Sequence, residues 1–332
     1  MSRKKDETSL HWSEHKEEVH SSIPIKLLLS LLKILPSGFT FAICFPVAFF
    51  YTLFVPHARK EAVAYQKKLK SFSQGKSPTI ISAYRQILSF SICLVEKLSG
   101  WLGKVEYTDL ILHDDDCQEL IQRLEEGKGA VVFCSHLGNI ELLRSLSSFH
   151  RTGVSRDVPV NVLMEVNTSA IFFNTLKEVN PGFSMNAIDT RNIGPDTIVH
   201  LQECLEHGEL VVCAGDRTSA ASKERFIRKP FLGEDADFPY GVYLMAMLLK
   251  EPVYFMFGLR SRTATLHPKN HMIVEKAKTE TDCPRSEREE RITMLCQEFI
   301  DRLEHYCIQF PYQWYNFYNF WMKQLPKSKG NE

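Results

Sequence analysis

From Gly129 onward, short apolar runs alternate with segments whose apolar residues recur every three or four positions, the pattern of buried strands alternating with amphipathic helices. Ala130 to Cys134, "AVVFC", has the length and branched side chains of a core strand. The stretches "VPVNVLMEV" from Val158, "FSMNAID" from Phe183, "ELVVCAG" from Glu209 and "PVYFMFGLR" from Pro252 read the same way. Between them "TSAIFFNTLKEV", "PDTIVHLQECLEHG" and "PYGVYLMAMLLK" read as helices, with Pro195 as a start signal and Gly208 as a stop. A further helix is predicted over "SEREERITMLCQEFIDRLEHYC", and another begins at Asn139, a good N-cap, with Ile140, Leu142, Leu143 and Leu146 as its apolar stripe. Strands and helices in this order predict an α/β fold with a largely parallel central sheet flanked by helices.

The N-terminal part has a different pattern. Ile34 to Val55 is a run of twenty-two residues without a charge, preceded by the mostly apolar "IPIKLLLSLLK". Its length suits a membrane segment, and the polar residues ahead of it argue against a cleaved signal peptide. Pro36, Gly38 and Pro46 would break a straight span, so a bent or re-entrant anchor fits better, with a buried helix of the main domain as the alternative. Arg59, Lys60, Lys67, Lys68 and Lys70 follow at once. By the positive-inside rule they keep this flank and the domain after it on the cytoplasmic face, where they could touch anionic headgroups. The expected organisation is a polar segment over 1–22, an anchor over 23–58, a cytoplasmic domain over 59–325 and a frayed tail over 326–332.

Composition narrows the field. The chain has 332 residues, 44% of them apolar, enough to bury a large core. Forty basic residues balance forty acidic ones, which removes any overall pull toward nucleic acid, so no nucleic-acid partner is expected. The cysteines are scattered without a C-x-x-C pair, and Cys134 and Cys213 fall inside strand patterns, as suits thiols in a reducing compartment. Neither a zinc site nor a disulfide framework is expected. The chain also lacks the G-x-S-x-G elbow of serine hydrolases, the H-E-x-x-H of metalloproteases and the dinucleotide glycine fingerprint.

Candidate chemistry gathers where predicted strands end. His136 lies just past the strand Ala130 to Cys134, and Glu141 falls in the first turn of the helix after it. Asp216 and Arg217 follow another apolar strand, which should bring them to the same sheet edge, where open α/β sheets place their ligands. Four stretches, "HLGNIE", "GDRT", "PFLGEDADFPYG" and "PYQWYNFYNFW", occur in this order behind the hydrophobic N-terminal run. Together they resemble the bacterial lipid A late acyltransferase (lauroyl/myristoyl acyltransferase) family of the lysophospholipid acyltransferase-like superfamily, over nearly the whole chain.

The resemblance implies a glycerolipid acyltransferase-like fold at the bacterial inner membrane, without a cofactor. It implies an O-acyltransferase that moves a fatty acyl chain from acyl carrier protein, or coenzyme A, to a hydroxyl of a membrane glycolipid. His136 and Glu141 then form the H-x-x-x-x-E dyad. A neutral imidazole takes the hydroxyl proton, and a carboxylate on its other nitrogen fixes the tautomer. Without the resemblance, His136 could equally be a strand-end residue that caps a helix, with Glu141 favoured by the helix dipole. Gly138 and Asn139 allow a tight turn, and nearby amides could support the thioester oxyanion. Arg217 either contacts a phosphate or sugar of the acceptor or forms a structural ion pair. Arg191 is a weaker candidate for the same contact. Arg217 stands where lipid A enzymes more commonly carry a polar residue, which leaves the acceptor open. A coenzyme A-dependent glycerolipid acyltransferase is a rival reading, although that group usually has aspartate at the place of Glu141 and a proline-glutamate-glycine motif that this chain lacks. A catalytically idle membrane scaffold of the same fold is the other rival. Eight of the twelve residues in "FPYQWYNFYNFW" are aromatic, suited to core packing, an acyl tunnel or the membrane interface.

Overall fold

The computed structural model describes residues 30, 32–75, 79–102, 104, 110–113, 115–139, 154–156, 158–165, 185–218 and 225–321. Three helices come first: α1 (Ser37–Phe54), α2 (Pro56–Phe72) and α3 (Ile80–Trp101). Strand β1 (Leu110–His113), helix α4 (Asp115–Glu125) and strands β2 (Ala130–Cys134), β3 (Val160–Met164) and β4 (Met185–Asp189) follow. Helix α5 (Pro195–Glu206), β5 (Leu210–Ala214), the hairpin β6 (Phe226–Phe231) and β7 (Glu234–Pro239), and α6 (Tyr240–Leu249) lead to β8 (Val253–Arg260), β9 (Asn270–Lys276) and α7 (Arg288–Gln309).

Seven strands form one sheet in the order β1-β9-β8-β2-β5-β3-β4, parallel at every pairing except β8 with β9. The expected α/β class and mostly parallel sheet are therefore present. The antiparallel pair has a simple origin, because β9 returns directly from β8 without a crossover helix. Strand side chains alternate between the faces. Val131, Phe133, Val211, Cys213, Phe255 and Phe257 pack under α6 and α7, whereas Ala130, Val132, Tyr254 and Met256 meet α4 through Cys117, Leu120 and Leu124. Every residue of β8 is buried, as expected of a strand covered on both faces.

The predicted strands are found with their ends trimmed by a residue or two, and α5 starts at Pro195 as its sequence signal requires. Gly208, at φ +75°, receives the end of α5. The helices expected after Asn139 and over "TSAIFFNTLKEV" lie outside the described residues.

The N-terminal run folds differently from a free anchor. The helix passes through Gly38 and Pro46 and breaks instead at Val55, where Pro56 opens α2 and excludes helical geometry from the residue before it. Among the described residues no single helix is long and apolar enough to cross a membrane, although the stretch 38–54 and α2 pass that test together, bent by 96°. One stripe of α1, Phe41, Cys44 and Ala48, is buried with Ile87, Leu88, Ile92 and Val95 of α3. The opposite stripe is exposed and apolar: Phe39, Val47, Phe49, Phe50, Leu53 and Phe54, the last 75% exposed. The basic flank is partly used inside the protein. Arg59 donates to the carbonyls of Thr52 and Leu53 at the end of α1, and Lys68 pairs with Glu234 and covers the ring of Trp321. Lys60 and Lys67 stay exposed.

Helix α3 is tied to the sheet by a buried ion pair. Arg260, at the end of β8 and 1% exposed, meets Glu96 at 3.1 Å and also donates to the carbonyl and hydroxyl of Ser89. Asn270 supplies a second donor to Glu96. Removing one partner of such a pair leaves an uncompensated buried charge, worth about 3–5 kcal/mol.

Candidate functional site

Strands β2 and β5 are neighbours, with Cys134 opposite Ala214. His136 stands two residues past the end of β2 and Asp216 two residues past the end of β5, so the parallel register brings them face to face. The chain leaves β2 toward β3 on one side and leaves β5 toward β8 on the other. Open α/β sheets place their ligands at such carboxyl ends of strands.

Asp216 is fully buried, and its carboxylate is held by three donors. His136 Nδ1 lies 2.9 Å from Oδ1. The His136 backbone N–H donates to Oδ2 at 2.9 Å and the Trp314 indole N–H to the same oxygen at 3.3 Å. A buried charge is tolerable only when hydrogen-bonded in this way. Burial alone would raise the Asp216 pKa, but His136 and Arg217 outweigh it and hold the carboxyl below its usual range. The His136 side chain is 31% exposed. Burial, and then the positive charge of Arg217, lower its pKa against the opposing pull of Asp216. The result at neutral pH is an uncharged imidazole beside an ionised carboxylate. With Nδ1 taken by Asp216, Nε2 is the nitrogen left for proton transfer.

The turn that carries His136 is fixed on every side. Gly138 has φ +77°, and a Cβ there would come within 2.1 Å of the Gly258 carbonyl oxygen, so the tight turn requires glycine. The 313–316 segment runs antiparallel beside it: Leu137 opposes Trp314, and Tyr315 N–H donates to the His136 carbonyl at 2.8 Å. The side chain of Gln313 bridges the backbone N–H and C=O of Arg260 at 2.8 and 2.7 Å.

Several sequence-based expectations change. Asp216, expected to contact substrate, instead orients His136 from within the protein. The ring nitrogen expected to receive a carboxylate receives this one, and Glu141 lies outside the described residues. The amides of Gly138 and Asn139, which form the tight turn, are engaged within the protein. They donate to Gln313 O at 2.8 Å and to Gly258 O at 2.6 Å. The Asn139 side chain is buried, and neither atom of its amide has a partner among the described residues. Arg217 donates to Asn316 Oδ1 at 2.5 Å and lies 5.2 Å from the Tyr318 ring centroid. Arg191 does not join this cluster. It follows β4, beyond β5 and β3 in the sheet, and is engaged by the Asp189 carboxylate.

The C-terminal aromatic run packs as core. Trp314 and Phe320 are buried against Phe231 of the hairpin, and Trp321 N–H donates to the Phe231 carbonyl. Sequence reasoning missed Trp314 and Asn316 as site residues. Their signal was present in the polar atoms within an otherwise apolar run, because a buried indole N–H or amide seeks a partner.

No protein-family model matches the chain, and no curated protein matches it significantly.

The electrostatics make a direct prediction. In a ¹⁵N-edited NMR titration, His136 should lose its proton below the ordinary histidine value of about 6.5. Arg217→Met should raise that midpoint by removing a repulsive charge. Asp216→Asn should lower it further by removing an attractive one. Shifts in the same direction in both variants would contradict the assigned causes.

Proposed function

We propose that this protein is a membrane-associated O-acyltransferase that moves a fatty acyl chain from a thioester of acyl carrier protein or coenzyme A to a hydroxyl of a membrane glycolipid. The observation that carries the reading is His136, uncharged, held through Nδ1 by the buried Asp216 and carried on a rigid turn at the sheet's carboxyl edge. That arrangement suits a general base whose substrate brings its own nucleophile, since no serine or cysteine within hydrogen-bond distance of His136 takes the proton among the described residues. The order of motifs along the chain supports the same chemistry.

In this mechanism the acceptor hydroxyl binds against Nε2. As its oxygen attacks the thioester carbonyl carbon, His136 takes its proton and becomes an imidazolium stabilised by Asp216. Collapse of the tetrahedral adduct expels the thiolate, which recovers the proton from Nε2, leaving an ester and a free thiol. Asn139, three residues after His136 and with both amide atoms unpartnered among the described residues, positions the hydroxyl. Arg217 provides positive charge for an anionic or strongly polar group of the acceptor. Glu141 completes the motif within the part of the chain that is not described.

The acceptor is a membrane lipid, and α1 offers a way to reach it. Its exposed stripe of Phe39, Val47, Phe49, Phe50, Leu53 and Phe54 is suited to lie in the headgroup and acyl boundary of the inner leaflet, while Lys60 and Lys67 meet anionic headgroups. A half-buried interfacial helix that bends at Pro56 fits this geometry better than a straight span.

Two outcomes test the reading. Purified His136→Ala should transfer acyl chains from lauroyl-acyl carrier protein to extracted membrane glycolipids about 10²–10⁴-fold more slowly than wild type, with unchanged circular dichroism. Transfer at the wild-type rate would refute the general-base role. Phe50→Ser with Phe54→Ser should reduce binding to phosphatidylglycerol vesicles at least about tenfold, because each buried phenylalanine contributes roughly 1.5–3 kcal/mol. Undiminished binding would show that another surface meets the bilayer.

A further inference from the structure

We propose that the side-chain amide of Asn316, oriented by Arg217, donates the hydrogen bond that stabilises the oxyanion formed on the thioester carbonyl; the assignment rests on the acyl-transfer reading. An acyl transfer needs a preorganised donor where negative charge develops on the carbonyl oxygen. Among the described residues, the amides at the start of the turn beside His136 are already engaged. The amide of His136 is bound to Asp216, that of Leu137 to Ser135 Oγ, that of Gly138 to Gln313 O and that of Asn139 to Gly258 O. The neighbouring amides of Gly215 and Tyr315 are bound to the carbonyls of Cys134 and His136. Among the described residues a side chain can supply the donor.

Asn316 meets the requirements. It is 1% exposed, and its Nδ2 has no acceptor among the described residues. A buried donor without an acceptor among the described residues is unfavourable, which suits the atom to a bound group. Its orientation is settled. The guanidinium of Arg217 has donors only, so the amide must turn Oδ1 toward it, as the 2.5 Å contact shows, and Nδ2 faces the other way. Asn139 has two unpartnered amide atoms and nothing to fix which way they point.

Trp314 and Asn316, two residues apart on the segment beside the His136 turn, reach adjacent residues: Trp314 bonds Asp216 and Asn316 bonds Arg217. The amide thus contacts the side chain of the residue that follows the carboxylate holding His136. The contact to Arg217 also polarises the amide and strengthens Nδ2 as a donor. During transfer the hydroxyl oxygen bonds to the carbonyl carbon, its proton goes to His136 Nε2, and the carbonyl electron pair moves onto oxygen against Nδ2–H. Expulsion of the thiolate then restores the carbonyl and returns the proton to sulfur.

Thioester hydrolysis, with water as the acceptor, isolates this step. Full-length wild type, Asn316→Ala and Asn316→Asp would be assayed in detergent with lauroyl, myristoyl and palmitoyl thioesters of acyl carrier protein and of coenzyme A. Aspartate keeps the shape of the side chain and the bond to Arg217 while removing the N–H donor. Both variants should lose about 10²-fold or more in kcat, as for loss of one oxyanion donor, with KM within about threefold of wild type. The acid limb of the Asn316→Ala pH profile should not move. A merely structural asparagine would be rescued by aspartate, so a wild-type kcat in Asn316→Asp, or a raised KM at unchanged kcat, overturns the assignment. If Asn316→Ala fails to fold, Asn316→Asp decides alone. A wild-type protein that cleaves none of these thioesters would refute acyl transfer itself, and the role of Asn316 with it, whereas an active wild type with an active Asn316→Asp refutes only the latter.

Discussion

A single buried carboxylate organises the carboxyl edge of this sheet. Asp216 sits in full burial, so it must be met by donors, and the three it finds come from the two segments that have to be brought together: the turn after β2 and the strap at 313–316. The same contacts that make the charge tolerable fix the ring of His136, its tautomer and its protonation state. Structural satisfaction and chemical readiness are one set of hydrogen bonds here. An apolar residue at 216 would leave the His136 ring without its orienting partner and the Trp314 indole without an acceptor.

Around this clamp lies a second layer that holds the strap in place. Gln313 bonds both backbone groups of Arg260, and the guanidinium of Arg260 reaches Glu96 and Ser89 on α3. Helix α3 in turn buries the inner stripe of α1. A continuous path of packed side chains and hydrogen bonds therefore links the helix with the exposed apolar stripe to the turn that carries His136. In the proposed function this places the base at a fixed height relative to the bilayer surface, as a rigid catalyst must be when its substrate is anchored there.

Much of this fold was legible in the chain because its signals are local. The apolar runs at β2, β3, β5 and β8 and the Pro195 to Gly208 helix mark themselves by period, length and punctuation. The hairpin of β6 and β7 was less visible: "PFLGEDADFP" reads as a polar motif, and only the pairing of Arg228 with Asp237 across the strands shows why charges belong there. His136 and Asp216 were each recognisable as residues past a strand end. That they are partners depends on β2 and β5 being adjacent in register, a non-local fact that spacing along the chain does not contain. The pairing of His136 with Glu141 comes from the resemblance and its H-x-x-x-x-E motif, and Glu141 lies outside the described residues. That the Gly138 amide is taken by Gln313 was not readable for a related cause, since the two are distant in sequence. Composition marks the N-terminal run as apolar, but not which of its stripes is buried against α3.

The most direct test of the central claim is mass spectrometry of the membrane lipids of cells that express either the wild-type chain or His136→Ala from the same locus. The account predicts that one class of glycolipid carries an additional ester-linked acyl chain in the wild type and lacks it in the variant, with both proteins present at equal levels in the membrane. Identical lipid profiles in the two strains and in a strain without the gene would contradict it.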